Sequence, residues 1–228
     1  LLPRADRSVR APVTWSCRWE TALEPRDHDA IAALLARSYA TSAGAFPRGH
    51  SWAGARPELR VLGHQDGEVV AHAGLIRRFL RAPDHDTSVL VGDVGLVAVH
   101  PGRQGQGLGA ALMSSVAGTL DRLGLPFGFL TCDPDVRAFY ERSGWTPLLE
   151  HPMRSIRVDQ DLEDHRRNGM LLPVQQPATD WPSGASNATV RRSDPGADGS
   201  PGKSFRRASM ARGTFGRRSR RSIMRTVP

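Results

Sequence analysis

The stretch VAVHPGRQGQGLG at residues 97–109 decides the fold, because it joins a buried strand to a helix through a glycine-rich loop. Gly105, Gly107 and Gly109 alternate with larger residues and let the backbone curl with its N–H groups pointing inward. These amides and the positive end of the following helix dipole favour a phosphate. Neither the Walker loop nor the G-x-G-x-x-G dinucleotide pattern matches. The stretch therefore predicts a phosphate site of another class, with a plain tight turn as the alternative.

Strand and helix patterns alternate around this loop. Apolar periodicity predicts strands at 15–19, 59–63, 68–76, 87–99, 127–132, 145–153 and 170–174, and helices at 30–37, 108–123 and 133–144. We expect Asp27 or Asp29 to cap the first helix, Asp66-Gly67 to form a hairpin turn, and residues 40–55 to form a loop. The pattern predicts an α/β domain.

The basic charge lies almost entirely in the C-terminal segment. Residues 185–228 carry eleven basic and two acidic side chains, whereas residues 1–184 carry 20 basic and 21 acidic ones. We therefore expect a loose lead-in at 1–12, one domain at 13–185 and a disordered basic tail at 186–228. A nearly neutral body excludes nucleic-acid binding by the domain itself and leaves transient membrane contact by the tail as an option.

A second motif gives the glycine loop its context. The segment AFYERSGW at residues 138–145 follows the loop by about thirty residues. Together the two segments resemble the signatures of the GCN5-related N-acetyltransferase (GNAT) superfamily. The resemblance implies a mixed, mostly antiparallel sheet flanked by helices. It also implies that strand 93–99 separates from strand 127–132, and that the acyl-pantetheine arm of the donor lies in the gap.

The first half of the chain resembles a narrower family. The blocks SWAGARPELR at 51–60 and AHAGLIRRF at 71–79, with WPSG at 181–184, look like the NodA nodulation N-acyltransferases. The resemblance covers roughly residues 13–185. It implies transfer of a fatty acyl chain to the free amine of a de-N-acetylated chitooligosaccharide in Nod factor synthesis. It also implies an acyl carrier protein as the donor's carrier, with a CoA thioester as the alternative, and no tightly bound cofactor.

The donor side of the site is expected to use main chain and loop residues. The resemblance implies that the backbone N–H of Val97 or Val99 polarises the thioester carbonyl. We expect the loop to hold the donor's phosphates. The residues assigned to donor binding are Val97, Val99, Arg103, Gln104, Gly105, Gly107 and Gly109.

Three side chains are candidates for proton transfer. Asp93 interrupts an apolar strand just ahead of the gap, where burial would raise its pKa towards that of a useful base; an outward-facing Asp is the alternative. His72, in an apolar strand, is a second base or a substrate contact, or else a core histidine. The superfamily resemblance implies that Tyr140 protonates the leaving thiolate; packing beside Phe139 is the alternative.

The acceptor is expected to meet the segment at 51–60. Trp52 would stack on a sugar ring, Glu58 would hold an ammonium group, and Arg56 and Arg60 would contribute polar contacts. A surface Arg56–Glu58 pair is the structural alternative. For an acidic carrier protein, the cluster at Arg77, Arg78 and Arg81 beside Arg103 is the best-placed docking patch.

Cysteine and hydropathy patterns suggest the compartment. Cys17 and Cys132 are too few for a disulfide framework, and neither has metal-ligand spacing to a His pair. No signal-peptide run and no apolar stretch of membrane-spanning length are found, so we expect a cytoplasmic protein without a metal site.

Two other functions are compatible with the sequence. One is acetyl-CoA-dependent acetylation of a small amine such as an aminoglycoside. The other is a catalytically silent fold that binds anionic partners through its basic tail.

Overall fold

A computed structural model describes residues 11–82, 86–148, 153–156, 162–165, 168–182 and 188–191 of the 228-residue chain. The strands are β1 (Thr14–Trp19), β2 (Leu59–Gln65), β3 (Glu68–Ala82), β4 (Thr87–Val99), β5 (Phe127–Cys132), β6 (Thr146–Leu148), β7 (Met153–Ile156), β8 (Leu162–His165), β9 (Asn168–Pro173) and β10 (Ala188–Arg191). The α-helices are α1 (Pro25–Ser38), α2 (Leu108–Arg122) and α3 (Arg137–Glu141).

The sheet is mixed and mostly antiparallel, as predicted. Strands β1 to β4 form an antiparallel meander in chain order. Strand β5 then joins β4 in parallel, because α2 crosses over between them, and β9 lies antiparallel between β5 and β6. Farther along β3, the short strand β10 pairs at Arg81 and continues the sheet to β7 and β8.

Helices cover both faces of the sheet. Val61 and Leu62 are successive residues of β2 and point to opposite faces. Val61 packs in one cluster with Leu112, Val116 and Leu120 of α2, whereas Leu62 packs with Ile31, Leu34 and Leu35 of α1. Each of these side chains is almost completely buried, and the burial of each contributes roughly 1.5–3 kcal/mol to the stability of the fold.

A glycine lets α2 approach β5 closely. A Cβ atom at Gly128 would lie 2.8 Å from Leu120 of α2, 3.0 Å from Trp145 and 3.2 Å from Leu172. All three neighbours are buried side chains, so none can move aside without disturbing the core. The contact fixes the height of α2 above the parallel β4–β5 pair, and with it the position of the loop that precedes α2.

We predict that Gly128→Ala lowers the free energy of unfolding by about 1–3 kcal/mol, because the added methyl overpacks this contact. Gly118→Ala is the matched control: it lies inside α2, and its Cβ would meet only the end of Arg122 at 3.6 Å. The control should gain up to about 1 kcal/mol from helix propensity. Urea unfolding measures both variants, and equal stability of the two would contradict the assignment.

Several predicted element boundaries differ from the structure. Glu24 caps α1 instead of Asp27 or Asp29, and Asp27 closes a reciprocal capping box with it. Strand β3 runs six residues past the predicted end at 76, because it pairs with β4 as far as Ala82. The helix predicted over 133–144 is a 3-10 turn followed by the single turn of α3. Residues 40–45 of the predicted loop form a 3-10 helix.

The C-terminal boundary also differs. The predicted tail begins at residue 186, but the main chain of β10 pairs with β7 in parallel and with β3 at Arg81. The strand predicted over 145–153 contains β6 and the first residue of β7, with 149–152 outside the described residues, whereas β8 is not predicted. The lead-in at 1–10 and residues 192–228 of the tail lie outside the described residues. Within the described ranges, no helix is both long and apolar enough to cross a membrane.

Candidate active site

Strands β4 and β5 separate after a short stretch of parallel pairing. Their register covers Val91 to Asp93 against Phe127 to Phe129. Beyond it, β4 continues to Val99 beside β3, and β5 continues to Cys132 beside β9. The two central strands therefore open into a gap that begins at Asp93, between the strands for which the sequence predicts it.

A β-bulge accompanies the separation. His72 of β3 faces Ala98 of β4, yet Gly74 faces Gly95, so β4 holds one residue more than β3 between these pairs. Leu96 takes up the extra length with a φ of 53°, which is rare for a residue with a side chain. The Leu96 carbonyl accepts a hydrogen bond from His72 Nδ1 at 2.7 Å, which holds the bulge.

Beyond the bulge, the N–H and C=O groups of two residues of β4 face away from β3. The His100 N–H donates to the Val70 carbonyl across the β3–β4 pair. Since the N–H and C=O of one strand residue point to the same side and alternate residues point to opposite sides, the N–H and C=O of Val97 and of Val99 point away from β3. Their carbonyls accept hydrogen bonds from Tyr39 Oη (2.8 Å) and Ser38 Oγ (3.3 Å), both from the end of the α1 segment. The N–H groups predicted to polarise the thioester are thus on the gap side.

The glycine loop leads from β4 into α2. Gly105 and Gly107 have φ angles of 75° and 80°, and Gly107 directly precedes the first residue of α2. A Cβ at either glycine would meet nothing within 4 Å, so glycine is required there by backbone conformation and not by crowding. At Gly109, by contrast, a Cβ would lie 2.8 Å from Phe139 of α3. The first motif therefore packs directly on the second.

Cationic side chains lie close to this loop. His100 Nδ1 accepts from the Gly102 N–H at 3.1 Å, and Arg37 Nη1 lies 3.2 Å from His100 Nε2. Gln104 Nε2 reaches the Val99 carbonyl at 3.4 Å. In the described part of the chain, Arg103 Nη1 is shielded from solvent without a hydrogen-bond partner. The helix start, Arg37 and Arg103 together make a positive environment that suits a phosphate.

Two tyrosines are close to each other near the gap. Tyr140 is buried in the cluster under α2, in ring contact with Phe139 and Trp145. Burial raises the pKa of Tyr140, and Tyr39 and Cys132 raise it further. Burial also raises the pKa of Tyr39 to about 12, with a smaller contribution from Asp133. Both phenols therefore keep their protons at neutral pH. Sequence reasoning missed Tyr39, because only the fold brings it to Val97, 58 residues away.

Comparison with known proteins gives the family. The model of the family described as Nodulation protein A (NodA) matches residues 10–193. Nodulation protein A of Bradyrhizobium sp. (strain ANU 289) is 36% identical over 193 residues, 78% of this chain and 90% of that protein. The protein of the same name from Sinorhizobium fredii (strain NBRC 101917 / NGR234) is 34% identical, over 77% of this chain and 95% of its own. The chain belongs to the NodA family.

Solved structures with the same fold agree with this assignment. The GNAT family N-acetyltransferase YhbS of Escherichia coli, solved in complex with CoA, superposes with a TM-score of 0.52 at 19% identity, over 80% of this chain and 91% of its own. ElaA of Escherichia coli superposes with a TM-score of 0.51 at 20% identity, over 71% of this chain and 99% of its own. The predicted GNAT fold and NodA membership are confirmed. The chain is an N-acyltransferase of Nod factor synthesis.

In this NodA-family enzyme, Asp93 lies where the gap opens but is not an isolated buried acid. Its carboxylate is 2.8 Å from Arg78 Nε, and its side chain is about a quarter exposed. Asp93 pairs with Ile76 of β3, on the face of the sheet that also carries His72. The sequence predicted the position of Asp93 at the gap, but it did not predict the ion pair.

His72 does not reach the surface of the gap. Its ring is completely buried, Nδ1 contacts the Leu96 carbonyl and Nε2 lies 3.1 Å from Arg60 Nη1. Burial lowers the pKa of His72 to about 3, and the Arg60 charge contributes to the shift. The sequence predicts that His72 is a base, a substrate contact or a core histidine. Its geometry is that of a buried, hydrogen-bonded core histidine.

The predicted acceptor residues fall into two groups. Trp52 and Arg56 are partly exposed, with the Arg56 guanidinium 4.6 Å from the indole and the His50 ring 4.3 Å from it. Arg60 is completely buried, where it pairs with Glu20 instead of facing a ligand. Burial acts to raise the pKa of Glu58, but hydrogen bonds from the Arg77 side chain and backbone N–H lower it below its ordinary value. The Arg56–Glu58 surface pair is not formed, because Arg56 pairs with Glu20.

The predicted docking cluster is largely neutralised. Arg77 pairs with Glu58 at 3.0 Å, Arg78 with Asp93 at 2.8 Å and Arg81 with Asp86 at 2.7 Å. In addition, Arg77 and Arg78 point to opposite faces of β3, since they are adjacent in a strand. The three arginines therefore do not form one cationic patch.

We predict that Gly107→Val weakens CoA binding about tenfold or more, because a β-branched residue in the left-handed region costs roughly 1–2 kcal/mol. Gly107→Asn is the matched control, since Asn tolerates this conformation, and it should bind CoA within about threefold of the parent. Isothermal titration calorimetry measures both affinities. Equal losses would mean that space for the ligand, and not the φ angle, requires the glycine.

Buried, neutral His72 also predicts a pH dependence of stability. The unfolded chain takes up a proton on His72 below about pH 6.5, whereas the folded chain does so only near pH 3. The unfolded state therefore binds more protons in this window, and the free energy of unfolding falls by up to about 1.4 kcal/mol per pH unit as the pH is lowered.

The measurement compares the parent with His72→Asn in urea between pH 7 and pH 5. The variant should show a shallower loss of stability with falling pH. His64→Asn, on the partly exposed end of β2, is the control and should keep the parental slope. Identical slopes for the parent and His72→Asn would show that His72 is not held neutral.

Proposed function

We propose that this enzyme transfers a fatty acyl chain from a pantetheine thioester to the free amine of a de-N-acetylated chitooligosaccharide. The observation that carries the proposal is the gap after Asp93, which the peptide groups of Val97 and Val99 face and the glycine loop adjoins. An extended pantetheine arm suits such a gap, because it can take up the hydrogen bonds that β5 gives up.

The reaction forms one bond and breaks one. The amine lone pair attacks the thioester carbonyl carbon, and the carbonyl oxygen gains negative charge near the N–H groups of Val97 and Val99. The C–S bond then breaks, and the amine loses a proton while the thiolate gains one. We assign Asp93 to attract the ammonium form and accept its proton, directly or through water, because it lies at the opening of the gap.

We assign Tyr140 to donate the proton to the leaving thiolate. The raised pKa of its phenol keeps the proton available at neutral pH. Two further residues belong to the acceptor side in this proposal: Trp52 and Arg56, whose partly exposed side chains are suited to contact a sugar ring. Arg60 and Glu58 act there only through the ion pairs they make.

The donor's carrier and the compartment are part of the same proposal. Arg37, Arg103 and the start of α2 suit the phosphate of either an acyl carrier protein or CoA. We propose the acyl carrier protein, following the family. Two cysteines that form no disulfide support a cytoplasmic location.

Mass spectrometry of the products tests the function. Purified enzyme receives terminally deacetylated chitotetraose and, in separate reactions, a fatty acyl carrier protein, the matching acyl-CoA or acetyl-CoA. We expect a mass increase of one fatty acyl group, with the carrier protein as the better donor. Efficient transfer from acetyl-CoA alone would contradict lipid transfer, and no transfer to the deacetylated sugar would contradict the acceptor.

We predict that Asp93→Asn lowers the rate of transfer by about 10²–10⁴-fold, because it removes a base at the opening of the gap while keeping its shape. Asp86→Asn is the control, since it removes an equivalent but exposed ion pair with Arg81, and its rate should equal that of the parent. A near-normal rate for Asp93→Asn with an unchanged pH profile would remove Asp93 from the mechanism.

A further inference from the structure

A buried polar network runs across β2, β3 and β4 on the face covered by α1. Its members are Glu20, Ser51, Arg60 and His72, all at most 8% exposed, and it ends at the Leu96 carbonyl. At its other end lies the Ser51–Trp52 segment, which we call the acceptor loop. Buried charge of this kind is costly unless every group is satisfied, so the arrangement needs a reason.

The protonation state of His72 follows from its partners. The Arg60 guanidinium has donors only, so His72 Nε2, at 3.1 Å, must accept. The ring proton therefore lies on Nδ1 and is donated to the Leu96 carbonyl at 2.7 Å. A pKa lowered to about 3 is consistent with this neutral form.

Arg60 joins the acceptor loop to His72. Its Nη1 donates to the Ser51 carbonyl at 2.8 Å, and its Nε and Nη2 donate to the Glu20 carboxylate at 2.7 and 3.1 Å. Glu20 also accepts from Arg56 at 2.6 Å, and Arg56 lies against Trp52. The loop is therefore tied to the network both through its main chain and through its indole.

The peptide plane carries this constraint to the gap. The Leu96 carbonyl and the Val97 N–H belong to one planar, trans peptide group, so they point in opposite directions. When His72 fixes the carbonyl on one side, it fixes the direction of the N–H on the other. A hydrogen bond to the carbonyl also polarises the N–H and makes it a better donor.

We propose that His72 is a positioning residue that aims the Val97 N–H at the thioester oxygen through its bond to the Leu96 carbonyl, and that Arg60 holds the His72 ring in the orientation and tautomer that make this bond. The proposal rests on the proposed function, because that function supplies the thioester. It gives His72 no proton-transfer role. Acyl transfer would lose rate without the bond from His72 to Leu96, while donor affinity would remain.

Two amide variants separate this role from that of a base. His72→Asn places an amide N–H close to the former Nδ1 and keeps the bond to Leu96. His72→Gln places its amide near the former Nε2, so it keeps the contact with Arg60 and loses Leu96. Neither amide is basic, and both are compatible with a polar, buried site.

We expect kcat of His72→Asn to stay within about threefold of the parent. We expect kcat of His72→Gln to fall about 10–100-fold, a smaller decrease than the complete removal of an oxyanion donor causes. The pH profile of kcat/KM should be unchanged in His72→Asn. KM for the donor, and Kd for a thioether analogue of the acyl-pantetheine, should change little in either variant. His64→Asn and His64→Gln serve as matched controls.

A readout without any acceptor separates this inference from the proposed function. Hydrogen exchange at the Val97 N–H should be faster in His72→Gln than in His72→Asn, and ¹⁵N spectra should show the Nδ1–H form of His72 in the parent. If the parent fails to acylate the sugar but these results hold, the substrate assignment fails and the positioning role stands.

Two results would overturn the inference. Equal loss of kcat in both variants, with loss of the acidic limb of the pH profile, would make His72 the base. Near-parental kcat together with unchanged exchange at Val97 in both variants would show that the network does not position the peptide.

Discussion

Strand β4 pairs with β3 along nearly its whole length and yet leaves β5 after Asp93, and the bulge at Leu96 reconciles these two demands. An extra residue in β4 turns the strand without breaking its ladder with β3, at the cost of one non-glycine residue in the left-handed region. Such strain persists only where the surroundings determine it, here through the bond from His72 to the Leu96 carbonyl. The direction of the Val97 peptide, inside the gap that opens after Asp93, follows from this one local irregularity.

Charge is used in this molecule mostly for internal pairing. Arg60 is buried only because Glu20, Ser51 and His72 occupy its donors, and removal of the Glu20 carboxylate would leave an uncompensated buried charge. On the surface of β3, Arg77, Arg78 and Arg81 are each matched by a carboxylate. Consequently a count of arginines in the sequence overstates the field that an acidic carrier protein would meet. A donor-docking surface has to be sought near the glycine loop, where Arg37 and Arg103 lie by α2.

Local patterns predict the fold well, because they act over a few residues. The Asp66-Gly67 hairpin, strand β4 and helix α2 follow from turn chemistry and apolar period, and the glycine loop falls between the last two. The site is harder to predict from the sequence, because the residues that make its contacts are far apart in the chain. Tyr39 meets Val97 and Glu20 meets Arg60 across 58 and 40 residues. An arginine in a strand gives no local sign that it will be buried with a carboxylate, so the sequence pattern groups Arg60 with the acceptor residues. Asp93 shows the same limit: its place at the gap is predictable, but its pairing with Arg78 is not.

In the proposed mechanism, the donor half and the acceptor half of the site depend on different parts of the chain. On the donor side, the Val97 and Val99 peptides, Gly105 and Gly107 act through backbone geometry, so many changes of neighbouring side chains would leave them intact. On the acceptor side, the proposed residues Trp52, Arg56 and Asp93 would act through side chains, so substitution there would change what can bind. The network through Arg60 and His72 is the physical link between the halves. Under the proposed positioning role, a change in the acceptor loop that moves the Ser51 main chain shifts Arg60 and, through it, the His72 ring that holds the Leu96–Val97 peptide, whereas a change at an exposed side chain of the loop does not.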